Sequence, residues 1–328
     1  MSEIIILTAG DIHISDENPR ARIDNYKETI IGKLEQLFLA SNKYRADAVL
    51  LTGDLYNLKK PVNNSHALNR ELINLFGKFK CPVYIIPGNH DLTANDLDTL
   101  DSQPISVLFA SGALKNLSHE KIIKKDIKVS LEGIPFTQDL NISDLKIAPK
   151  EGFDAQVCLM HLYTGPESGN IFKERLYGYG ELSVLTPDIF VLGHYHIDQG
   201  IQCLKNKWFI NQGSISRGTL HEDRIDHKPK FGLIRITKED SWVKITAESL
   251  EVKIKPPEEV FDLKKKEEEK KESLEIQKYV EMLISESSSN SEGASIEDHL
   301  SAMEIEKEIS DVVLEFIREA VVLRKVKK

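Results

Sequence analysis

The chain has 328 residues, of which 41% are hydrophobic and 29% charged, and its net charge is -9. This length favours one large domain plus a smaller appendage, and no apolar run approaches the roughly 20 residues of a membrane span. The acidic balance argues against strong unassisted binding of nucleic acid, because such binding depends mainly on Lys and Arg contacts with phosphates.

The cysteines and the first residues indicate the compartment. Cys81, Cys158 and Cys203 are isolated and form no CxxC pair, which argues against a disulfide framework or a thiolate zinc site. Residues 1–7 enter an apolar run without a basic segment or a small-residue cleavage site, so we expect no signal peptide. The sequence therefore predicts a cytoplasmic protein.

Apolar strands alternate with amphipathic helices in the first 90 residues. Short apolar runs occupy residues 3–9, 48–52 and 83–86, and residues 22–44 and 65–78 carry apolar side chains at helical spacing. Strands that alternate with helices predict right-handed crossovers and a largely parallel sheet with covered faces.

The pattern changes in the second half of the domain. Residues 157–160 and 189–192 are short apolar strands, and residues 122–129 alternate apolar with charged side chains. Four later segments look like antiparallel strands joined by polar turns, at residues 201–204, 208–211, 231–236 and 242–254. Together these elements predict a two-sheet α/β sandwich flanked by helices, over residues 1–255.

A different composition follows the proline pair at residues 256–257. Residues 263–284 are predicted to be a charged helical stretch and residues 286–293 a Ser-rich linker. Residues 256–294 are therefore predicted to be a short charged region that ends in a flexible linker. Residues 295–328 then predict a small helical extension, an amphipathic helix with an apolar stripe. That stripe is buried either on the chain's own domain or in a partner's groove.

Polar motifs follow the predicted strands, and five of the ten histidines fall in them. The motif residues are Asp11, His13, Asp54, Asn89, His90, Asp91, His161, His194 and His196. A lone histidine is more often a structural residue than a metal ligand. These residues, however, all follow the ends of predicted strands and would lie together at one edge of the sheet, which predicts a dinuclear metal site. Carboxylate, imidazole and amide ligands suit Mn, Fe, Zn or Mg, and Asp54 is placed to bridge two ions.

The ordered set of GDIH at 10–13, GD at 53–54, GNHD at 88–91, His161 and GHYH at 193–196 resembles the calcineurin-like metallophosphoesterases. The resemblance implies one metal held by Asp11, His13, Asp54 and His196. It implies a second held by Asp54, Asn89, His161 and His194. His90 would face the scissile phosphate as a catalytic residue, and Asp91 would orient it.

Within that superfamily the chain is most similar to the SbcD-type nuclease subunit of the SbcC–SbcD complex. The likeness rests on TGDLY at 52–56, IPGNHD at 86–91, GHYH at 193–196 and NQGSISR at 211–217, and it covers about residues 1–255. It implies a manganese-dependent DNA exonuclease and endonuclease for DNA repair or recombination, which forms a homodimer and binds an SbcC-type coiled-coil ATPase through its C-terminal helix.

Two departures from the SbcD pattern stand in the sequence. Asn57 occupies a position where many relatives have a histidine. Residues 256–328 leave little room for a full DNA-capping domain, so the resemblance implies only a reduced capping region and a Ser-rich linker at residues 256–294. Two alternatives also remain open: a stand-alone phosphodiesterase or phosphatase acting on a small substrate, and a metal-free scaffold on the same fold.

Overall fold

The computed structural model describes residues 2–19, 22–138, 140–145, 147–171, 174–218, 225–240 and 242–263. The chain divides into two units, Met1–Phe261 and Asp262–Lys328. The predicted linker and amphipathic helix lie outside the described residues, so the boundaries predicted at residues 255 and 294 stay predictions.

The first sheet has the strand order β15-β14-β1-β2-β3-β4. Its strands are β1 (Ser2–Ala9), β2 (Ala48–Leu51), β3 (Val83–Ile85), β4 (Lys115–Asn116), β14 (Lys230–Glu239) and β15 (Trp242–Glu251). Strands β1 to β4 are parallel, whereas β14 and β15 are added antiparallel beside β1.

The second sheet has the order β12-β13-β11-β7-β6-β5, with parallel pairing from β13 to β6. Its strands are β5 (His119–Lys124), β6 (Ile127–Ile134), β7 (Ala155–Leu162), β11 (Ile189–His194), β12 (Gly200–Leu204) and β13 (Lys207–Asn211). A small third sheet contains β8 (Thr164–Gly165), β9 (Gly169–Ile171) and β10 (Glu174–Gly178) in the order β8-β10-β9.

Helices cover the outer faces of the two large sheets. Those described are α1 (Tyr26–Tyr44), α2 (His66–Phe76), α3 (Pro104–Ala110), α4 (Tyr179–Leu182) and α5 (Pro257–Val260). Short 3-10 turns lie at Pro61–Asn63, Asn89–Asp91, Thr93–Asn95, Leu97–Ser102 and Ile142–Asp144. In the described part of the chain, no helix is both long and apolar enough to cross a membrane.

The core is formed in layers, because successive strand residues point to opposite faces. Ile4 and Ile6 of β1 pack between the two sheets with Val157 of β7, whereas Leu7 packs on the helical side with Leu34 of α1. The predicted two-sheet α/β sandwich is therefore confirmed. Helix-covered parallel strands of this kind end at a common edge, and that edge carries the polar motifs.

Three boundaries differ from the sequence prediction for local reasons. Helix α1 begins at Tyr26 rather than residue 22, because the Asn25 side chain accepts the Glu28 N–H as an N-cap. The stretch at residues 122–129 is not one strand: Lys125, with φ 58°, turns the chain between β5 and β6. Strand β15 ends at Glu251, after its last pair with Lys230 of β14.

A lysine is buried where α1 meets the segment after β13. Lys33 is 2% exposed, and its Nζ donates to the carbonyl of Ile215 at 2.6 Å. Burial, together with the nearby guanidinium groups of Arg217 and Arg22, lowers the pKa of Lys33 to about 7. Between about pH 7 and the unfolded value near 10.5, the unfolded chain therefore binds one more proton than the folded protein.

We expect the stability of the wild type, relative to Lys33→Met, to rise with pH across that window. The difference in the free energy of unfolding should rise by about 1.4 kcal/mol per pH unit, because the Lys33 amine takes up a proton when the chain unfolds. Urea unfolding at pH 7, 8 and 9 measures this difference, with the exposed Lys43→Met as the matched control. Parallel pH profiles for the wild type and Lys33→Met would contradict the assignment.

Candidate metal centre

The seven predicted ligands meet at one edge of the sandwich, where strands of both sheets end. Asp11 and His13 follow β1, Asp54 follows β2 and Asn89 follows β3. From the second sheet, His161 lies in β7 and His194 ends β11, with His196 two residues later; these two strands are paired in register. Each sheet therefore contributes side chains to one shared cluster.

The first group of ligand atoms comes from His13, Asp54 and His196. The Nε2 atoms of His13 and His196 are 2.9 Å apart, and Nε2 of His13 is 3.6 Å from Oδ2 of Asp54. Two nitrogens bound at a right angle to one ion, each about 2.1 Å from it, would be about 3 Å apart. The spacing therefore fits a shared ion.

The second group comes from Asp54, His161 and His194, with Asn89 beside them. Nε2 of His161 is 3.4 Å from Oδ2 of Asp54 and 3.1 Å from Oδ1 of Asn89. The other ring nitrogen of His161, Nδ1, is 2.7 Å from the Thr52 carbonyl. That contact holds the ring so that Nε2 faces the other ligands.

Asp54 is common to both groups and is fully buried. Its Oδ1 accepts the backbone N–H of His90 at 2.8 Å, but no described residue donates a hydrogen bond to Oδ2. Oδ2 of Asp11 likewise receives no hydrogen bond from the described residues, whereas Oδ1 of Asp11 accepts the His194 N–H at 3.0 Å. Two buried carboxylate oxygens without donors are costly unless cations bind them, so the donor set fits divalent ions.

The pKa shifts in the cluster also favour bound cations. Burial would raise the pKa of Asp54, but the nearby imidazoles, His161 first, hold it well below its usual range. Burial lowers the pKa of His161, but the carboxylates of Asp54 and Asp11 outweigh this and raise it to about 9. Burial also raises the pKa of Asp11, to about 6. The carboxylates of Asp11 and Asp54 thus attract positive charge into the cluster.

The ligand turns have a backbone geometry that most residues avoid. His13, Asp54 and His194 have φ values of 50°, 48° and 77°, in the left-handed region. Gly88 has no room for a side chain, since a Cβ there would lie 2.1 Å from Oδ1 of Asp54. Such strain, about 1–3 kcal/mol per residue, persists where the surrounding structure enforces it.

The chain that follows β13 braces the first ligand turn. Ser214 donates its hydroxyl to the Asp11 carbonyl at 2.7 Å, and the Ile215 N–H donates to the same oxygen at 3.1 Å. On the other side, the Tyr26 hydroxyl donates to the His13 carbonyl at 2.8 Å. Tyr26 lies in the segment at residues 22–44 whose periodicity predicted a helix, but a hydroxyl-to-carbonyl contact between distant segments leaves no local pattern in the sequence.

His90 lies beside the first group, with its ring centroid 4.8 Å from that of His13. Its Nδ1 is 2.8 Å from the carbonyl of Asn57, which orients the ring and leaves Nε2 as the outer nitrogen. His90 and Asn57 both line an open cavity of about 200 Å³. The cavity lining consists of His13, Tyr26, Asn57, His90, His196, Ser216 and Gly218.

The prediction that Asp91 orients His90 is corrected by these contacts. The Asp91 carboxylate accepts the backbone N–H groups of Leu55, Tyr56 and Gly88 at 3.1–3.3 Å. It therefore joins the turns after β2 and β3, and Asp91 is buried. The Asn57 carbonyl takes the orienting role, because the turn after β2 places it next to the ring.

Glu174 is a site residue that the motifs did not indicate. Its Oε2 lies 2.8 Å from Nε2 of His194. The ring of Tyr163 lies 4.8 Å from that of His194 and stacks at 5.0 Å on the ring of Tyr195. Glu174 begins β10, outside every strand-end motif, so no signal in the sequence marks it.

A family model described as calcineurin-like phosphoesterase matches residues 4–198. No curated protein matches the sequence significantly. A solved structure of a candidate 5′-nucleotidase from Staphylococcus aureus is 16% identical with a TM-score of 0.50, and the alignment covers 77% of this chain and 55% of that chain.

Two further solved structures align with most of the chain. The 5′-nucleotidase precursor from Thermus thermophilus is 14% identical with a TM-score of 0.47, over 81% of this chain and 57% of that chain. A calcineurin-like phosphoesterase from Bacillus subtilis is 13% identical with a TM-score of 0.47, over 77% of this chain and 93% of that chain. The chain therefore spans little more than half the length of the two nucleotidase chains.

We expect Asp54→Asn to remove both metal ions and His196→Ala to remove one, because only Asp54 belongs to both ligand groups. The loss of affinity should exceed the roughly 10–100-fold that follows loss of an outer-shell partner. Titration with Mn²⁺, followed by electron paramagnetic resonance, counts the bound ions. His119→Ala, which removes a histidine paired with Glu132 outside the cluster, is the control; two tight ions in Asp54→Asn would contradict the shared-ligand assignment.

Proposed function

Since the chain belongs to the calcineurin-like phosphoesterase family, we propose that it hydrolyses phosphodiester bonds in DNA, as an SbcD-like nuclease subunit. The observation that carries the proposal is the pair of ligand groups that share Asp54, with His90 beside them. The seven proposed ligands are Asp11, His13, Asp54, Asn89, His161, His194 and His196. This oxygen and imidazole set suits Mn²⁺, our proposed cofactor.

The residues divide the chemistry between them. When bound, two divalent ions would polarise the phosphate and lower the pKa of a water molecule. Asp54 and the ligand histidines would hold the ions, and the Asn57 carbonyl orients the His90 ring through Nδ1. Nε2 of His90 is then the nitrogen that contacts the phosphate, where it stabilises charge or gives a proton to the leaving oxygen.

The shape of the site is compatible with an extended substrate. The cavity of about 200 Å³ that His13 and His90 line is open to the surface, so a long substrate whose phosphate binds there has room outside the cavity. The stacked, half-buried Tyr163 and Tyr195 beside the second group offer aromatic rings of the kind on which single-stranded bases stack.

We expect the protein to cleave a single-stranded oligonucleotide with Mn²⁺, and His90→Ala to reduce the rate at least about 100-fold while keeping both ions. The reason is that His90 belongs to neither ligand group. Gel analysis of the oligonucleotide and a manganese count measure the two effects. His66→Ala, on α2, is the matched control.

A small diester, bis-p-nitrophenyl phosphate, separates the two enzyme hypotheses in the same assay. Turnover of this diester with intact DNA would overturn the nuclease proposal in favour of the small-substrate phosphoesterase. Neither activity, combined with the absence of bound metal, would favour the scaffold.

The partner proposal rests on charge and on the C-terminal sequence. A chain with a net charge of -9 needs help to hold a polyanion, and an SbcC-type ATPase bound to the predicted amphipathic helix at residues 295–328 would supply it. The apolar stripe of that helix includes Leu300 and Phe316. Such a stripe is the kind of surface that lies in a partner's groove.

We expect the double substitution Leu300→Glu and Phe316→Glu to abolish co-purification with a co-expressed SbcC-type ATPase, because two carboxylates would enter an apolar interface. Manganese-dependent cleavage of a short single-stranded oligonucleotide should stay unchanged. The control adds the same charge at polar positions, through Ser301→Glu and Ser310→Glu. Undiminished co-purification of the apolar-stripe variant would rule out this interface.

A further inference from the structure

A surface carboxylate contacts a buried ligand of the second group. Glu174 is the first residue of β10, and its side chain is 51% exposed, whereas the His194 side chain is 9% exposed. The 2.8 Å contact between Oε2 of Glu174 and Nε2 of His194 has the length of a charge-assisted hydrogen bond. Through this contact, β10 of the small third sheet reaches the metal centre.

The contact determines which nitrogen of His194 is left for an ion. An imidazole nitrogen that donates its proton to a carboxylate cannot bind a metal at the same time, so Nδ1 is the remaining ligand atom. His161 shows the complementary arrangement: its Nδ1 contacts the Thr52 carbonyl, and its Nε2 faces Asp54 and Asn89. Both histidines of the second group therefore have one nitrogen held by an acceptor.

Packing alone does not fix this choice. The rings of Phe136 and Tyr163 lie 5.2 Å and 4.8 Å from the His194 ring, and they restrict its plane. Aromatic contacts do not distinguish the two tautomers of a neutral imidazole, because neither ring offers a strong acceptor. Within the described part of the chain, Glu174 is the side chain that accepts from Nε2 of His194.

We propose that Glu174 is a positioning residue of the second metal site, which holds His194 with its proton on Nε2 and its Nδ1 toward the ion. The inference rests on the metal site of the proposed function. Outer carboxylates of this kind fix the ring orientation and raise the basicity of the ligand. The β9–β10 hairpin would then contribute to the affinity of the second ion and not of the first.

A direct bond between Glu174 and the ion is the competing role, and it would require the ion on the Nε2 side of the ring. The two nitrogens of an imidazole point in diverging directions. A carboxylate on Nε2 therefore lies on the far side of the ring from an ion on Nδ1. A glutamine at residue 174 would still accept the Nε2 proton, so the two roles differ in their response to Glu174→Gln.

Titration of the full chain with Mn²⁺, without DNA, tests the proposal. Glu174→Ala should lower the affinity for the second ion about 10–100-fold and change the affinity for the first by no more than about twofold. Glu174→Gln should retain most of the affinity for the second ion. Glu167→Ala, which removes an exposed carboxylate just before β9, is the matched control and should bind as the wild type does. Equal losses in the alanine and glutamine variants would indicate a direct ligand, and no loss in Glu174→Ala would refute the proposal.

The tautomer supplies a second readout that a merely structural role would not change. In the Zn²⁺-loaded protein, long-range ¹H–¹⁵N spectra should show His194 with a protonated Nε2 and a metal-bound Nδ1. Metal on Nε2 would overturn the inference. A wild type that binds two ions but leaves DNA intact would refute the nuclease proposal alone, whereas fewer than two ions in the wild type would overturn this one.

Discussion

The arrangement of the whole site depends on one buried carboxylate. Asp54 is fully buried, belongs to both ligand groups and keeps one oxygen without a hydrogen-bond donor among the described residues. An ionised carboxylate in such a place is costly unless cations surround it. The imidazoles of His13 and His161, at 3.6 Å and 3.4 Å, lie where this charge draws them, and both large sheets contribute the groups that satisfy it.

Much of this arrangement could be predicted, because short-range signals encoded it. Apolar runs that end in polar residues indicated the strands after which Asp11, Asp54 and Asn89 stand, and the ends of parallel strands meet at one edge. The motifs GDIH at residues 10–13 and GHYH at residues 193–196 each marked a pair of ligands. The layered core followed from the alternation of helical and strand periodicities, and the structure confirms the two-sheet fold.

The missed features depend on contacts between segments distant in sequence. Glu174 reaches His194 from a hairpin that carries no motif, and the Asn57 carbonyl that orients His90 is a backbone atom, which any residue at that position supplies. The role predicted for Asp91 was wrong for a related reason: its place beside His90 in the sequence suggested contact, but its carboxylate turns toward the backbone of Leu55 and Gly88. Sequence adjacency says little about where a short turn directs successive side chains.

The division of ligands between the two sheets has a consequence for the dynamics of the domain. Asp54 and Asn89 extend from the first sheet and His161 and His194 from the second, so an ion bound among them would link the two layers at one edge of the sandwich. Opening of the layers at that edge would then require release of the ion, while the opposite edge would keep its ordinary freedom. Amide hydrogen exchange at the ligand-bearing ends of the strands would then slow as the metal concentration rises. The bound ions would thus stabilise one edge of the sandwich against local opening more than the other.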